Sequence, residues 1–376
     1  MKLPATRLLK MMGLLKMMGL LKMMALPAVC LLLPLSAWCK DISLDIRPGA
    51  GVTAQRMLSD YFPPLKDTNL DTAVYFLDSG KPGATGLMIG GTHGNEIAGS
   101  VAALVALENV VVTAGRLIVM PYTNRSAQSM RDSRNDIESQ HLIQSRGGER
   151  ILHYGDRRTD PSDQHSEDPE TYTNPGGYVL KNGQEARNLN RAYPGRADGT
   201  GTEQLAYAII ALVKQERVSF SLDMHEANTP ETDKQEEGDY TPGGNKRLSY
   251  TLIAHPRGLE MAAYALLAME EDTGISMKLE ESNRQYRGLS HLEIGDATGC
   301  LSFLSESPNP GQDHERADAD VINDAKYPLT HRAGMHLRVF RHLADAYADY
   351  HGEMLEMNNL PEYRDLLAGT IGGFLN

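Results

Sequence analysis

The sequence predicts an α/β fold in which helices cover both faces of one mostly parallel, mixed sheet. Short apolar runs bounded by glycine and proline alternate with longer segments whose apolar residues recur at helical spacing. Strands that alternate with crossover helices form parallel sheets buried on both faces. No break in composition marks a second core, so we expect a single catalytic domain over residues 40–376.

Each element is expected where one of these patterns falls. The predicted strands cover residues 73–77, 86–89, 116–121, 218–224, 252–254, 275–279 and 300–304. The predicted helices cover residues 97–107, 202–214 and 259–270, and a long C-terminal helix covers 332–357. Residues 124–182 are polar and too long for a plain connection, so we expect an insertion that is either a binding loop or disordered.

Residues 1–39 have the pattern of a secretory signal peptide. They contain five basic residues and no acidic one, and no charge falls between Lys22 and Lys40. The apolar stretch at 23–38 is shorter than the roughly 20 residues of a spanning helix. We therefore expect a secreted or periplasmic protein with no stable membrane span after leader cleavage. A retained N-terminal anchor is the alternative.

Charge and cysteine content exclude several classes of protein. The formal charge is −12, and residues 40–376 carry 32 basic and 49 acidic residues, which gives −17. Nucleic acid is therefore not an expected partner, because phosphate binding needs clustered lysine and arginine. Cys300 is the one cysteine after the leader, so neither an internal disulfide nor a Cys-rich metal site is possible there. A catalytic role for this thiol is an alternative, because His291 lies nearby in the sequence. However, a cysteine at the start of an apolar run is usually buried in the core.

A zinc site is indicated where two predicted strands end. The sequence Gly-Gly-Thr-His-Gly-Asn-Glu at 90–96 follows a strand and opens a helix, so His93 and Glu96 can face one point. His225 ends a second apolar run and completes a set of two histidines and one glutamate, with Asp223 available to orient an imidazole. The alternative for His225 is a hydrogen-bonded histidine at a strand end.

A zinc hydrolase also needs a base and a cation that holds the substrate. Glu306 leaves an apolar run just before a proline and is the candidate base, whereas Glu293 lies in a more polar run. Arg187, Asn190 and Arg191 offer two guanidinium groups and an amide that can grip a carboxylate. A solvated loop is the alternative for this block.

These motifs, in this order over about residues 85–310, resemble the aspartoacylase and succinylglutamate desuccinylase branch of the zinc carboxypeptidase family. The segments that carry the resemblance are Gly-Gly-Thr-His-Gly-Asn-Glu, Asn-Leu-Asn-Arg followed by Tyr-Pro-Gly, Asp-Met-His and a glutamate at a strand end. The resemblance implies a zinc-peptidase three-layer α/β/α fold and one zinc ion per chain. It implies zinc ligands His93, Glu96 and His225, substrate contacts from Asn190, Arg191 and a mobile Tyr286, a water-activating Glu306 and a carbonyl-polarising Arg187.

The expected function is an exported zinc-dependent amide hydrolase, a metallocarboxypeptidase that removes a residue next to a free carboxylate from an extracytoplasmic peptide. Intracellular deacylases of this branch carry a β-rich domain after the catalytic glutamate, whereas the residues after Glu306 look helical. One alternative is an N-acyl amino acid deacylase. Another is a non-catalytic ligand-binding protein on the same fold. A serine hydrolase is not indicated, because no Gly-x-Ser-x-Gly pentapeptide occurs.

Overall fold

The computed structural model describes residues 43–131, 137–231, 248–313, 316 and 318–376, so the leader predicted at 1–39 lies outside the described residues. Its strands are β1 (Ala54–Met57), β2 (Ala73–Asp78), β3 (Thr85–Ile89), β4 (Val111–Ala114), β5 (Arg116–Met120), β6 (Gln140–Ser145), β7 (Gly148–His153), β8 (Tyr172–Thr173), β9 (Val179–Leu180), β10 (Phe220–Ala227), β11 (Thr251–Ala254), β12 (Lys278–Glu281), β13 (Leu301–Pro308) and β14 (Glu356–Asn358).

The helices lie mainly between strands of the central sheet. They are α1 (Ile97–Asn109), α2 (Arg125–Gln128), α3 (Leu189–Ala192), α4 (Gly201–Gln215), α5 (Leu259–Thr273), α6 (Ser290–Thr298), α7 (Leu329–His351) and α8 (Tyr363–Ala368). Within this described part of the chain, no helix has both the length and the apolar run needed to cross a membrane.

Eight strands form the central sheet in the order β1-β2-β5-β3-β10-β13-β11-β12. The four central strands β5, β3, β10 and β13 run parallel to one another. Antiparallel pairs join β1 to β2, β2 to β5 and β11 to β13. The α/β class with a mixed, mostly parallel sheet is therefore confirmed.

Side chains alternate between two apolar layers, one on each face of the sheet. On β3, Met88 packs in one layer, whereas Leu87 and Ile89 pack in the other. On β5, Val119 and Ile118 divide in the same way. Helices α1, α5 and α7 cover the first layer and α4 covers the second. This arrangement gives the three layers expected of the fold.

The differences from the predicted elements lie mostly at their ends. The C-terminal helix runs from Leu329 to His351, because Gly352 leaves the helix with a left-handed φ of +71°. Strand β13 continues through Glu306 to Pro308, so the polar end of this run is still strand. In the described part of the 124–182 insertion, β6 pairs with β7 and β8 with β9 as antiparallel hairpins.

A buried ion pair ties α7 to the end of β10. Arg332 Nη1 donates to Glu226 Oε1 at 2.6 Å, and both side chains are fully buried. Ser307 Oγ also donates to this oxygen, and the backbone N–H of Ala98 donates to the second one. Because Glu226 directly follows His225, this pair fixes the strand end that carries a predicted metal ligand.

We expect the Arg332→Met variant to lose about 3–5 kcal/mol of unfolding free energy, because it leaves the buried Glu226 carboxylate without its cation. Urea denaturation followed by circular dichroism measures this loss. Arg341→Met is the matched control on the same helix. Its pair with Asp345 is exposed, at 34% and 48%, so the loss should stay below about 1 kcal/mol. Equal losses in the two variants would contradict the assignment.

Candidate active site

Two glycines allow the close backbone contacts that assemble the site. A Cβ on Gly99 would lie 2.2 Å from the main-chain oxygen of Met224, so α1 packs directly on β10. This contact brings Glu96, the residue before α1, next to His225. Gly91 has a φ of +68°, in the left-handed region that favours glycine, and it turns the chain between β3 and α1.

Three buried side chains converge at the ends of β3 and β10. Glu96 Oε1 lies 2.7 Å from Nδ1 of His93, and Glu96 Oε2 lies 2.8 Å from Nδ1 of His225. All three residues are at most 2% exposed, and their candidate ligand atoms lie within 4.8 Å of one another. Two imidazole nitrogens and one carboxylate are a donor set suited to Zn²⁺ with room for water or substrate. The residues present therefore fit a zinc ion.

The electrostatics of the three residues are strongly coupled. Burial alone would raise the pKa of Glu96, but the two imidazoles that face its oxygens hold it well below its usual range. Burial lowers the pKa of His93 to about 4. Burial also opposes a charge on His225, yet Asp223 and Glu96 hold the pKa of this imidazole well above its usual range. Glu96 is thus a carboxylate, as a metal ligand must be.

Asp223 lies directly behind the imidazole of His225. Its Oδ2 lies 2.9 Å from Nε2 of His225, so the opposite ring nitrogen, Nδ1, faces Glu96. Two hydroxyl groups hold Asp223 in turn, since Thr92 Oγ1 donates to it at 2.8 Å and Ser290 Oγ at 2.6 Å. A carboxylate behind a ligating imidazole fixes the ring and its tautomer.

Glu306 lies beside His225, whereas Glu293 does not. In the parallel pairing of β10 and β13, Glu306 is the register partner of His225, so both side chains project from the same face. Glu306 Oε2 is buried without a hydrogen-bond partner among the described residues, and burial raises the pKa of this carboxyl to about 8. Glu293 is bound by Arg287 Nη2 and the backbone N–H of Gly288.

The predicted carboxylate contacts form a second group near α3. Arg191 Nη1 donates to the main-chain oxygen of Asn190 at 2.7 Å. Its Nε is buried and donates no hydrogen bond within the described part of the chain, with Glu185 Oε2 3.7 Å away. The guanidinium lies 5.4 Å from the ring centroid of Tyr286. Asn190 Oδ1 accepts from the backbone N–H of Ser290 at 2.9 Å.

The hydrogen bonds of Arg187 go to other residues than the candidate metal ligands. Its Nε lies 2.9 and 3.0 Å from the two Asp168 oxygens, and its Nη1 donates to the main-chain oxygen of Thr159. Arg157 is the guanidinium that approaches the ligands, with Nη1 3.6 Å from Glu96 Oε1. Arg187 is thus bound to Asp168 and Thr159 of the insertion, whereas Arg157 lies at ion-pair distance from Glu96.

Main-chain hydrogen bonds explain the position of Arg157. The N–H of Gly94 donates to the oxygen of Asp156 at 2.7 Å, and the N–H of Gly155 donates back to the oxygen of Gly94 at 2.8 Å. A Cβ on Gly94 would lie only 2.8 Å from that Asp156 oxygen, so glycine permits the approach. Sequence reasoning missed Arg157, because it lies in an irregular polar insertion. The sequence feature that could have drawn attention to Arg157 is the pair of adjacent arginines that it forms with Arg158.

The buried thiol of Cys300 is unsuited to nucleophilic chemistry. Burial raises its pKa to about 12, so it stays protonated at neutral pH. Its sulfur lies 3.6 Å from Ser221 Oγ. His291, the predicted alternative partner, bonds instead to Ser282 Oγ.

The chain matches no protein-family profile and no curated protein, but it is similar to solved structures. A succinylglutamate desuccinylase from Silicibacter sp. TM1040 is 18% identical, with a TM-score of 0.40 over 76% of this chain and 62% of that one. A succinylglutamate desuccinylase/aspartoacylase from Rhodobacter sphaeroides is 19% identical, with a TM-score of 0.41 over 81% and 67%. The product-bound cell shape determinant protein Csd4 from Helicobacter pylori is 13% identical, with a TM-score of 0.45 over 78% and 59%.

The chain therefore spans about three fifths of the length of the first of these structures (62%). Two of the three carry the names of the enzyme branch that the sequence motifs resemble.

We expect wild-type protein to bind one zinc ion per chain and His225→Ala to bind almost none, because two ligands rarely hold zinc in place of three. Metal analysis after dialysis against zinc at neutral pH measures the stoichiometry. His255→Ala is the control, since this buried histidine pairs with Asp296 away from the ligand set. Undiminished zinc in His225→Ala would refute the ligand assignment.

Proposed function

We propose that this protein is a zinc-dependent amide hydrolase whose substrate carries a free carboxylate close to the scissile bond. The observation that carries the proposal is the placement of Glu306 beside His225, with one buried, unpartnered carboxylate oxygen, next to three residues suited to zinc. A carboxylate is costly to bury without a partner. A base held near an attacking water explains its position.

A zinc ion held by His93, Glu96 and His225 would supply Lewis-acid chemistry at this point. Glu306 takes a proton from the attacking water and returns it to the leaving nitrogen. Arg157, rather than Arg187, faces the scissile carbonyl in our proposal, because its guanidinium lies 3.6 Å from Glu96.

Arg191, Asn190 and Tyr286 hold the substrate in this proposal. The buried Nε–H group of Arg191 makes no hydrogen bond to the described residues, so it can donate to a substrate. Guanidinium groups bind carboxylates through paired, charge-assisted hydrogen bonds. Asn190 Oδ1 is engaged by Ser290, which orients the amide group of this side chain. The Tyr286 ring lies against the guanidinium, where it can cover a bound ligand.

Two reactions fit a substrate of this class. One is the removal of a C-terminal residue from an extracytoplasmic peptide, which the secretory pattern at 1–39 supports. The other is the hydrolysis of an N-acyl amino acid, which the motif resemblance supports. We propose the carboxypeptidase reaction, in a secreted or periplasmic enzyme. The proposal argues against a non-catalytic ligand-binding protein, because a candidate set of zinc ligands and a candidate base are both present.

Product analysis distinguishes these reactions. The zinc-loaded protein is incubated separately with cell-wall muropeptides and with a panel of N-acyl amino acids, and products are identified by mass spectrometry. Release of one C-terminal residue from the peptides would support the carboxypeptidase. Cleavage of the N-acyl amino acids alone would support the deacylase, and no cleavage of either would contradict both.

Replacing Glu306 by glutamine should lower turnover by at least about 10²-fold while zinc stays bound, because glutamine keeps the size of the side chain but cannot accept the proton. Steady-state kinetics and metal analysis on the same sample measure the two quantities. Glu293→Gln is the control, with kcat expected near the wild-type value. A large loss in Glu293→Gln alone would show that the base was assigned to the wrong carboxylate.

Truncating Arg191 to alanine should lower kcat/KM for a free-acid substrate roughly 30- to 150-fold, which corresponds to a loss of about 2–3 kcal/mol for a charge-assisted contact. Amidation of the substrate carboxylate should lower the wild-type value by a similar factor. The substitution and the amidation remove the same interaction. Amidation of the substrate should therefore change kcat/KM of the Arg191→Ala variant very little. Equal wild-type rates on the acid and the amide would refute the carboxylate contact.

A further inference from the structure

The imidazole of His93 is held by an amide side chain, unlike that of His225. Asn188 Oδ1 lies 2.9 Å from His93 Nε2 and also accepts from the backbone N–H of Asn190 at 3.0 Å. On the other side, Asn188 Nδ2 donates to Glu185 Oε2 at 2.7 Å. Asn188 is fully buried, so it lies between a metal-ligand candidate and a carboxylate without access to water.

Glu185 fixes which way this amide points. A carboxylate only accepts hydrogen bonds, so the group of Asn188 that faces Glu185 must be its NH₂ and the group that faces His93 must be its oxygen. His93 therefore donates from Nε2 and presents the lone pair of Nδ1 towards Glu96. This is the tautomer that a metal ion at the site requires.

Glu185 is itself held as an anion by guanidinium groups. Burial alone would raise its pKa, but Arg191, Arg157 and Arg158 lower the pKa of Glu185 to about 2. Arg158 Nη2 lies 3.0 Å from Oε1, and Arg191 Nε lies 3.7 Å from Oε2. The oxygen that orients Asn188 is thus the one nearest the proposed substrate-binding arginine.

We propose that Glu185 is a positioning residue that orients Asn188 and, through it, the metal-ligating nitrogen of His93. This inference rests on the zinc site of the proposed function. Metal affinity then depends on whether one of residues 185 and 188 can donate the hydrogen bond that the other accepts. We call this donor–acceptor pairing the match between the two residues. An aspartate at 188 could still accept from His93, but it would place a second carboxylate 2.7 Å from Glu185, where like charges repel strongly.

A double-mutant cycle tests this match. Asn188→Asp should weaken zinc affinity roughly 10- to 100-fold, the usual effect of disturbing a partner of a ligating histidine. Glu185→Gln alone should change it less than about tenfold, because the glutamine oxygen can still accept from Asn188. In the double variant, the glutamine NH₂ donates to the introduced aspartate, and affinity should exceed that of Asn188→Asp by about tenfold or more.

Zinc dissociation constants are measured by competition with a chromophoric chelator, and the thermal midpoint of the metal-free protein is recorded for every variant. Asn69→Asp is the matched control, because Asn69 Nδ2 donates to Asp163 at 3.1 Å in a similar amide–carboxylate pair. It should lower the thermal midpoint without changing zinc affinity. If Asn188→Asp changed only the thermal midpoint, the role would be structural and the proposal would be overturned.

Other outcomes separate the inference from the proposed function. A double variant no better than Asn188→Asp would overturn the match, even if the wild-type enzyme hydrolyses amides. Rescue in the double variant, combined with no hydrolysis of any amide, would support the match and contradict only the proposed reaction. Wild-type protein that binds no zinc would overturn both.

Discussion

The site depends on one buried carboxylate that is shared between two imidazoles. Glu96 lies 2.7 and 2.8 Å from Nδ1 of His93 and His225, and its Oε2 also accepts from the backbone N–H of Glu226 at 3.1 Å. A charge this deeply buried is tolerated only when donors or cations face it, and Oε1 is approached by Gln312 Nε2 at 3.4 Å and by Arg157 Nη1 at 3.6 Å. The Gly99 contact between α1 and β10 follows from this requirement, because any side chain there would separate Glu96 from His225.

The two histidines differ in what holds them from behind. A carboxylate, Asp223, lies against His225, whereas a neutral amide, Asn188, lies against His93. Asp223 therefore makes the His225 imidazole the more basic of the two. The amide at 188 connects His93 to Glu185, and so to the arginines around it. The metal-ligand candidates and the candidate substrate-binding groups are thus joined by a continuous set of hydrogen bonds and ion pairs.

Much of this arrangement could be predicted from the sequence, and the remainder could not for physical reasons. His93, Glu96 and His225 follow apolar strands, and the ends of parallel strands meet at one edge of a sheet. Arg157 reaches Glu96 only through main-chain bonds between Gly94 and the insertion, and such contacts leave no periodicity in the sequence. The hairpins of the insertion were likewise not predicted, because they are short and largely polar.

The alternation of side chains along β10 and β13 explains how a polar site fits a buried sheet. His225 and Glu306 project from one face, whereas Glu226 and Ser307 project from the other. There Arg332 of α7 and Ser307 Oγ both donate to Glu226. Polar groups on both faces of a strand end would normally draw water into the core. Because Arg332 of α7 pairs with Glu226, the charge on this face is neutralised within the protein. The ion pair therefore compensates the polar groups on one face of these strand ends, while the candidate metal ligands occupy the other face.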